Sequence, residues 1–438
     1  MLQTLKNAWK VPELRTKLLF TLLVIVVYRI GSVIPVPFVN SDVISAFAGQ
    51  TAGSLFSYMS LLSGEAFTNG TLFALGVSPY ITASIVIQLL TIAIPALEKL
   101  AKEGEEGRKK LSAITRWVTV ALALVTSYGY TKLLQRGLGN GVSYLSNDHW
   151  FAQVVIIATF CAGAAMVMWL AEKINEKGIG NGISMILFAN IISRGAALVS
   201  QVWNMTFTEG GFSGFKVLGL LKSVLSVAIT VAIVYLIVWF TESERRIPIQ
   251  YAKRQVGRKM YGGQTSNLPL KMNMAGVMPI IFASSIVSIP ATIAGFLSSD
   301  NGFAKFVKNW FSYDTWPYLI VYLVLIFLFS YFYIMISFNP VEVSNNIRNQ
   351  GGAVPGIRPG RPTVEYITRI LNRVTTIGAV FLAFIAGFPM LINIIFGGSF
   401  AGIAFGGSSL LIVVGVALET FRAIEAQLSM RNYKGFLD

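Results

Sequence analysis

The stretch LGVSPYITASIVIQLL, residues 75–90, decides how this chain must fold. It is long and apolar enough for a membrane helix, yet it carries Ser78, Pro79, Thr82, Ser84 and Gln88. Hydrocarbon offers these groups no hydrogen-bond partner, so each must find one in protein or in water. Such a helix faces something other than lipid along one side.

The rest of the chain agrees. Of 438 residues, 54% are hydrophobic and only 13% are charged, about half the charge of an ordinary soluble domain. A helix needs about 20 apolar residues to cross a bilayer. Ten windows qualify: 18–35, 72–92, 115–134, 151–171, 182–200, 217–240, 274–297, 317–338, 368–394 and 402–421. Trp150, Trp239, Trp310 and Trp316 fall near proposed ends, where interfacial aromatics are expected. The basic, amphipathic start MLQTLKNAWKVPELRTK reads as an interfacial helix leading into a retained span. Arg29, near the end of the first window, is expected to snorkel or pair locally.

Lysine and arginine set the orientation. The N-terminal segment, alternate loops and the C-terminal tail hold 27 of the 35 basic residues. The positive-inside rule then places both termini in the cytoplasm. The net charge of +15 has the same origin. Because the bias follows sidedness, it does not mark a nucleic-acid-binding face.

Two cytoplasmic loops exceed what connection requires, at about 241–271 and 339–366. Their Gly and Pro punctuation and their arginines predict ordered, protruding hairpins suited to anionic partners, protein or RNA. On the other side, SLFSYMSLLSG (54–64) is helical in pattern but too short to span. It is expected to be re-entrant or interfacial.

Ten spans divide into five and five, so the predicted fold is an all-α polytopic membrane protein in two inverted halves, 1–200 and 201–438. No clear residue-level repeat supports this; it rests on span counting, which pairs span two with span seven. Val77, Ile81, Ser84 and Gln88 share one helical face, as do Val277, Ile281, Ser284, Ser285 and Ser288. Read as continuous helix, Gln88 to Ile81 is about 10 Å and Asn273 to Ile281 about 12 Å. The two aliphatic ledges then match in depth below polar ends, and the polar groups are expected to pair across the seam.

No span carries a central Asp or Glu, which ion-coupled transporters usually need. There is no P-loop and no nucleophile–base pairing, so no catalytic residues are assigned. Cys161 and His149, each the only one of its kind, make a His/Cys metal site unlikely on chemical grounds, and no cofactor is expected. The pattern is that of a passive pore driven from outside.

YRIGSVIPVP (28–37), LGVSPYITASIVIQLL (75–90), GIGNGIS (178–184), YAKRQVGRK (251–259), LPLKMNMAGVMPIIFASS (268–285), FNP (338–340) and VPGIRPG (354–360) together resemble the bacterial SecY family, almost end to end. The resemblance implies an hourglass channel in the plasma membrane. It would conduct unfolded preproteins and release hydrophobic segments sideways into lipid. The implied pore ring is Val77, Ile81, Ile183, Leu187, Ile281 and Ile412. The implied plug, at about 54–66, centres on Leu55, Phe56, Tyr58, Met59, Leu61 and Leu62. Spans two and seven become a lateral gate, with Thr82, Ser84, Gln88, Asn273, Ser284 and Ser285 along it. Arg245, Arg246, Lys253, Arg254, Arg258, Arg358 and Arg361 become a docking surface for the motor ATPase SecA or the ribosome. Partner subunits SecE and SecG are implied. Competing readings are an inverted-repeat secondary transporter and an insertase that opens only to lipid. The absent carboxylates count against the first and the plug-like segment against the second.

Overall fold

The computed structural model describes residues 2–40, 63–136, 145, 149–193, 195, 217–251, 254–256, 259–261, 265–296, 302, 306–307, 310, 315–396 and 407–434. Each of the ten windows overlaps a helix. They are α2 (Pro12–Gly31), α3 (Ser78–Ala93), α5 (Glu105–Arg136), α6 (Trp150–Lys177), α7 (Gly182–Ser193), α8 (Val217–Glu242), α9 (Met278–Phe296), α10 (Trp316–Ser337), α12 (Arg361–Phe396) and α13 (Gly407–Lys434). Shorter helices are α1 (Leu2–Lys10), α4 (Pro95–Lys102) and α11 (Pro340–Asn349). Among the described residues, four helices are long and apolar enough to cross a membrane, and a bent pair makes a possible fifth.

Proline sets several of the boundaries. Pro12 and Pro79 stand in the first turns of α2 and α3, where a missing N–H costs nothing. Pro95 stops α3: Ile94 turns extended, and α4 leaves at 102° to α3. Glu105 and Glu106 open α5, where carboxylates favour the helix dipole. Asn339 caps α11, accepting from the N–H groups of Val341 (3.1 Å) and Glu342 (3.4 Å).

One large apolar core unites the bundle. Helix α3 packs on α5 and α9; α9 also packs on α5 and α10; α10 packs on α12. Helix α13 packs on α7, α8 and α12, and α2 on α6 and α7. Outward-facing Leu22, Val125, Trp169, Val231, Val324 and Phe384 remain exposed. An apolar outer surface of this kind suits lipid.

The described residues between α2 and α3, 32–40 and 63–77, run mainly as turns. Several of their backbone groups are paired within the protein, as a membrane interior requires. Leu72 N–H donates to Ile34 O (2.9 Å) and Val36 N–H to Gly70 O (3.2 Å). The Tyr130 hydroxyl donates to Phe67 O. Phe73 stacks on Tyr28 with centroids 5.4 Å apart, and both rings are buried. Phe73→Ala is therefore expected to cost about 3–5 kcal/mol. Thermal unfolding of the purified variant checks this, with the exposed Trp117→Ala expected to change little.

Candidate functional site

Five of the six proposed ring residues, Val77, Ile81, Leu187, Ile281 and Ile412, are buried in the same apolar cluster, and Ile183 packs against it half-buried. Four separate elements bring them together: the start of α3, α7, the start of α9 and α13. The GIGNGIS turn sets the position of α7. Asn181 Oδ1 accepts from Ile183 N–H (3.0 Å), Asn175 Oδ1 from Gly182 N–H (2.7 Å), and Thr21 Oγ1 from Ile179 N–H (3.1 Å). Deeper in α7, Asn190 donates to the buried Tyr28 hydroxyl (2.9 Å). Arg29 reaches the Gly64 carbonyl at 3.5 Å, so it pairs 35 residues along the chain instead of snorkelling.

Helices α3 and α9 touch along a seam. Its polar groups do not pair across it as expected. Gln88 Nε2 donates to Ser84 Oγ on its own helix (3.3 Å). Thr82 donates to Ser78 O (3.0 Å), and Ser284 and Ser285 both donate to Ile281 O (2.9 and 2.8 Å). A hydroxyl four residues from a free carbonyl lone pair finds a partner without leaving its helix. The contact between the two helices is therefore apolar.

Asn273 departs from the expectation in a second way. Residues 272–277 are turns, and α9 begins only at Met278. The helical rise assumed from Asn273 to Ile281 does not apply. Asn273 is buried, and its Oδ1 has no partner among the described residues.

These starts reveal a repeat that sequence reading missed. GVSPYITAS (76–84) and GVMPIIFAS (276–284) match at Gly, Val, Pro, Ile, Ala and Ser, two hundred positions apart. The structures match too. Val77 and Val277 immediately precede their helices, and their carbonyls accept from Ile81 N–H (3.0 Å) and Ile281 N–H (3.3 Å). Ala83 and Ala283 are fully buried. Aligning the two seam windows on their prolines would have exposed the match.

The first long loop is a hairpin: β1 (Glu244–Tyr251) pairs antiparallel with β4 (Thr265–Lys271). Strands β2 (Arg254–Val256) and β3 (Lys259–Tyr261) pair nearer its tip. The second loop is not a hairpin. It holds α11 and the two-residue strand β5 (Gly352–Ala353), which adds to the first hairpin through Gln250↔Ala353 and Tyr251↔Gly352. The alternation along β1 buries Ile247 and Ile249, which pack with Leu268, Val354, Ile347 and Ile367. The two loops thus form one domain with a three-stranded sheet ordered β4-β1-β5.

Its outward residues carry the charge. Arg245, Arg246, Arg358 and Arg361 are exposed. Arg246 pairs with Glu244 (2.6 Å) and Arg361 with Glu365 (3.3 Å). Arg358 stands on a turn held by buried Val354, half-buried Ile357 and the Thr363 hydroxyl, which donates to Arg358 O (2.9 Å). At the base of the sheet, burial holds the Lys271 amine below its usual pKa, with Arg422 adding to the effect. Arg422 itself bonds Glu242 (2.8 Å) and Thr241 O (3.0 Å). Arg254 lies on β2; Lys253, Arg258 and the plug residues Leu55, Phe56, Tyr58, Met59, Leu61 and Leu62 lie outside the described residues.

A buried apolar cluster shared by several helices, a contact between α3 and α9, and a domain with exposed arginines are compatible with a protein-conducting membrane channel. The comparisons agree. A sequence model of the SecY family matches residues 71–421. The protein translocase subunit SecY of Streptomyces scabiei is 42% identical over 445 residues, and that of Streptomyces coelicolor 43%, each covering all of both chains. The Mycobacterium bovis protein of the same name is 40% identical over 453 residues, again across both chains. The solved structure of a protein conducting channel superposes with a TM-score of 0.61 at 17% identity, covering 94% of this chain and 92% of the other. Sec61 in a canine ribosome–channel complex gives 0.58 at 16% identity over the same shares. The chain belongs to the SecY family. The solute-transporter reading is set aside.

Proposed function

We propose that the chain is the passive conduit through which unfolded preproteins cross the bacterial plasma membrane, and that α3 and α9 part to release hydrophobic segments into lipid. The observation that carries this is the convergence of six aliphatic side chains from four elements beside a seam where Gln88, Thr82, Ser284 and Ser285 bond within their own helices. An aliphatic ring carries no fixed charge and conforms to varied side chains. When empty it dewets, which opposes ion leakage.

In this reading the chain has two inverted halves, 1–200 and 201–438, ten spans and cytoplasmic termini. The matched starts of α3 and α9 support the pairing of halves, and the basic loops support the orientation. Residues 54–66 act as a plug over the ring; one structural relative of the chain concerns a SecY plug domain that stabilises the closed state. SecE and SecG complete the channel, and SecA or a ribosome docks on the basic domain. Two structural relatives are ribosome-bound channels.

Two experiments test this. Cysteine pairs scanned around positions 84–88 and 273–285, in a variant lacking Cys161, should include one that oxidises readily. Locking it should block both export and lateral insertion, with reduction restoring both. A locked channel that still exports and inserts normally leaves α3 and α9 as static neighbours. Arg358→Glu should reduce motor-driven export at least tenfold while the subunit accumulates normally, because arginine's planar fork is not replaced by an acid. Normal export by that variant refutes docking through Arg358.

A further inference from the structure

The repeat at 76–84 and 276–284 begins with a glycine in each half. Both glycines have left-handed backbones, φ +54° at Gly76 and +63° at Gly276. Space does not demand glycine at either place. A Cβ at 276 would meet nothing within 4 Å. One at 76 would touch Ser63 at an ordinary 3.8 Å. The requirement is one of backbone conformation alone, since a left-handed residue other than glycine costs about 1–2 kcal/mol.

Each glycine also sits at a mechanical boundary. The first hydrogen bond of α3 and of α9 springs from the valine that follows it. The helix that follows carries Ile81 or Ile281 of the proposed ring and Ser84 or Ser284 of the seam. On the other side, Gly76 N–H closes a turn onto Phe73 O (2.8 Å), and Asn273 to Ala275 are turn and bend. A change of φ at one glycine would swing the whole following helix.

We propose that Gly76 and Gly276 are a matched pair of pivots: the seam opens by rotation of α3 and α9 about them, and their left-handed backbone belongs to the closed arrangement. This rests on reading α3 and α9 as the two sides of a gate.

The test uses the full chain assembled with its partner subunits in membranes. Gly276→Ala places a side chain that disfavours positive φ, so it should shift the resting gate toward open. The expected shift is about tenfold, the factor given by ~1.4 kcal/mol of left-handed strain. It should appear as slower disulfide formation in the cysteine pair that oxidises across the closed seam, and as higher resting conductance. Gly276→Asn, larger but tolerant of a left-handed backbone, should stay within about twofold of the parent chain. Gly76→Ala should act in the same direction as Gly276→Ala, and the two together should multiply. The proposal is overturned if both Gly276 variants leave seam crosslinking and conductance unchanged. It is overturned equally if Asn behaves like Ala, or if Ala lowers thermal stability or abundance with no shift in crosslinking among the inserted molecules. A gate lock without effect on transport would instead remove the gate reading itself, so the two failures are distinguishable.

Discussion

The joint burial of Val77, Ile81, Leu187, Ile281 and Ile412 is the contact on which the rest of the structure depends. Each aliphatic side chain is worth about 1.5–3 kcal/mol when kept from water. Keeping all five from water is therefore worth roughly 8–15 kcal/mol. No hydrogen bond competes with that figure, since those at the seam stay within their own helices. In the proposed reading this cluster is the seal, and the natural way to open it is to supply apolar surface in its place. A hydrophobic segment or an extended chain does that without breaking a polar bond.

The rest of the molecule serves this requirement. Helices must begin at the ring, in the interior, if aliphatic side chains from several elements are to meet there. Beginning a helix inside a membrane leaves its first N–H groups without partners. Proline near the start of α3 and α9 removes one donor from each, and the preceding turns pair the polar groups of the chain between α2 and α3. The two long loops join into one sheet, so they form a single basic domain, not two separate loops.

Much of this was legible in the sequence. The ten apolar windows each overlap a helix because twenty apolar residues leave the backbone no other way to satisfy itself in lipid. The contact of α3 with α9 was expected from span counting, which pairs span two with span seven, sharpened by the shared spacing of their polar and aliphatic residues. Three things were not legible. Pairing of Ser84, Gln88 and Ser284 across the seam was inferred from their faces, but a serine or threonine back-bonds to its own helix at no geometric cost. The helical placement of Asn273 failed because Gly276 takes a left-handed backbone two residues before α9 begins, which ends any helix there. Strand β5 is two residues long and has no period to read. The repeat itself was present in the letters, but a match at six of nine positions separated by two hundred is weak until both segments are seen to open a helix in the same way.

The resting ion conductance of reconstituted channels bears most directly on the claim that these aliphatic residues form the seal. Single-channel recordings of an Ile81→Gly, Ile281→Gly double variant should show frequent openings where the parent channel is closed, with removal of residues 55–62 raising the same conductance. Unchanged resting conductance in the double variant, at normal abundance, would contradict the account: the cluster would be ordinary core, and the constriction would lie elsewhere.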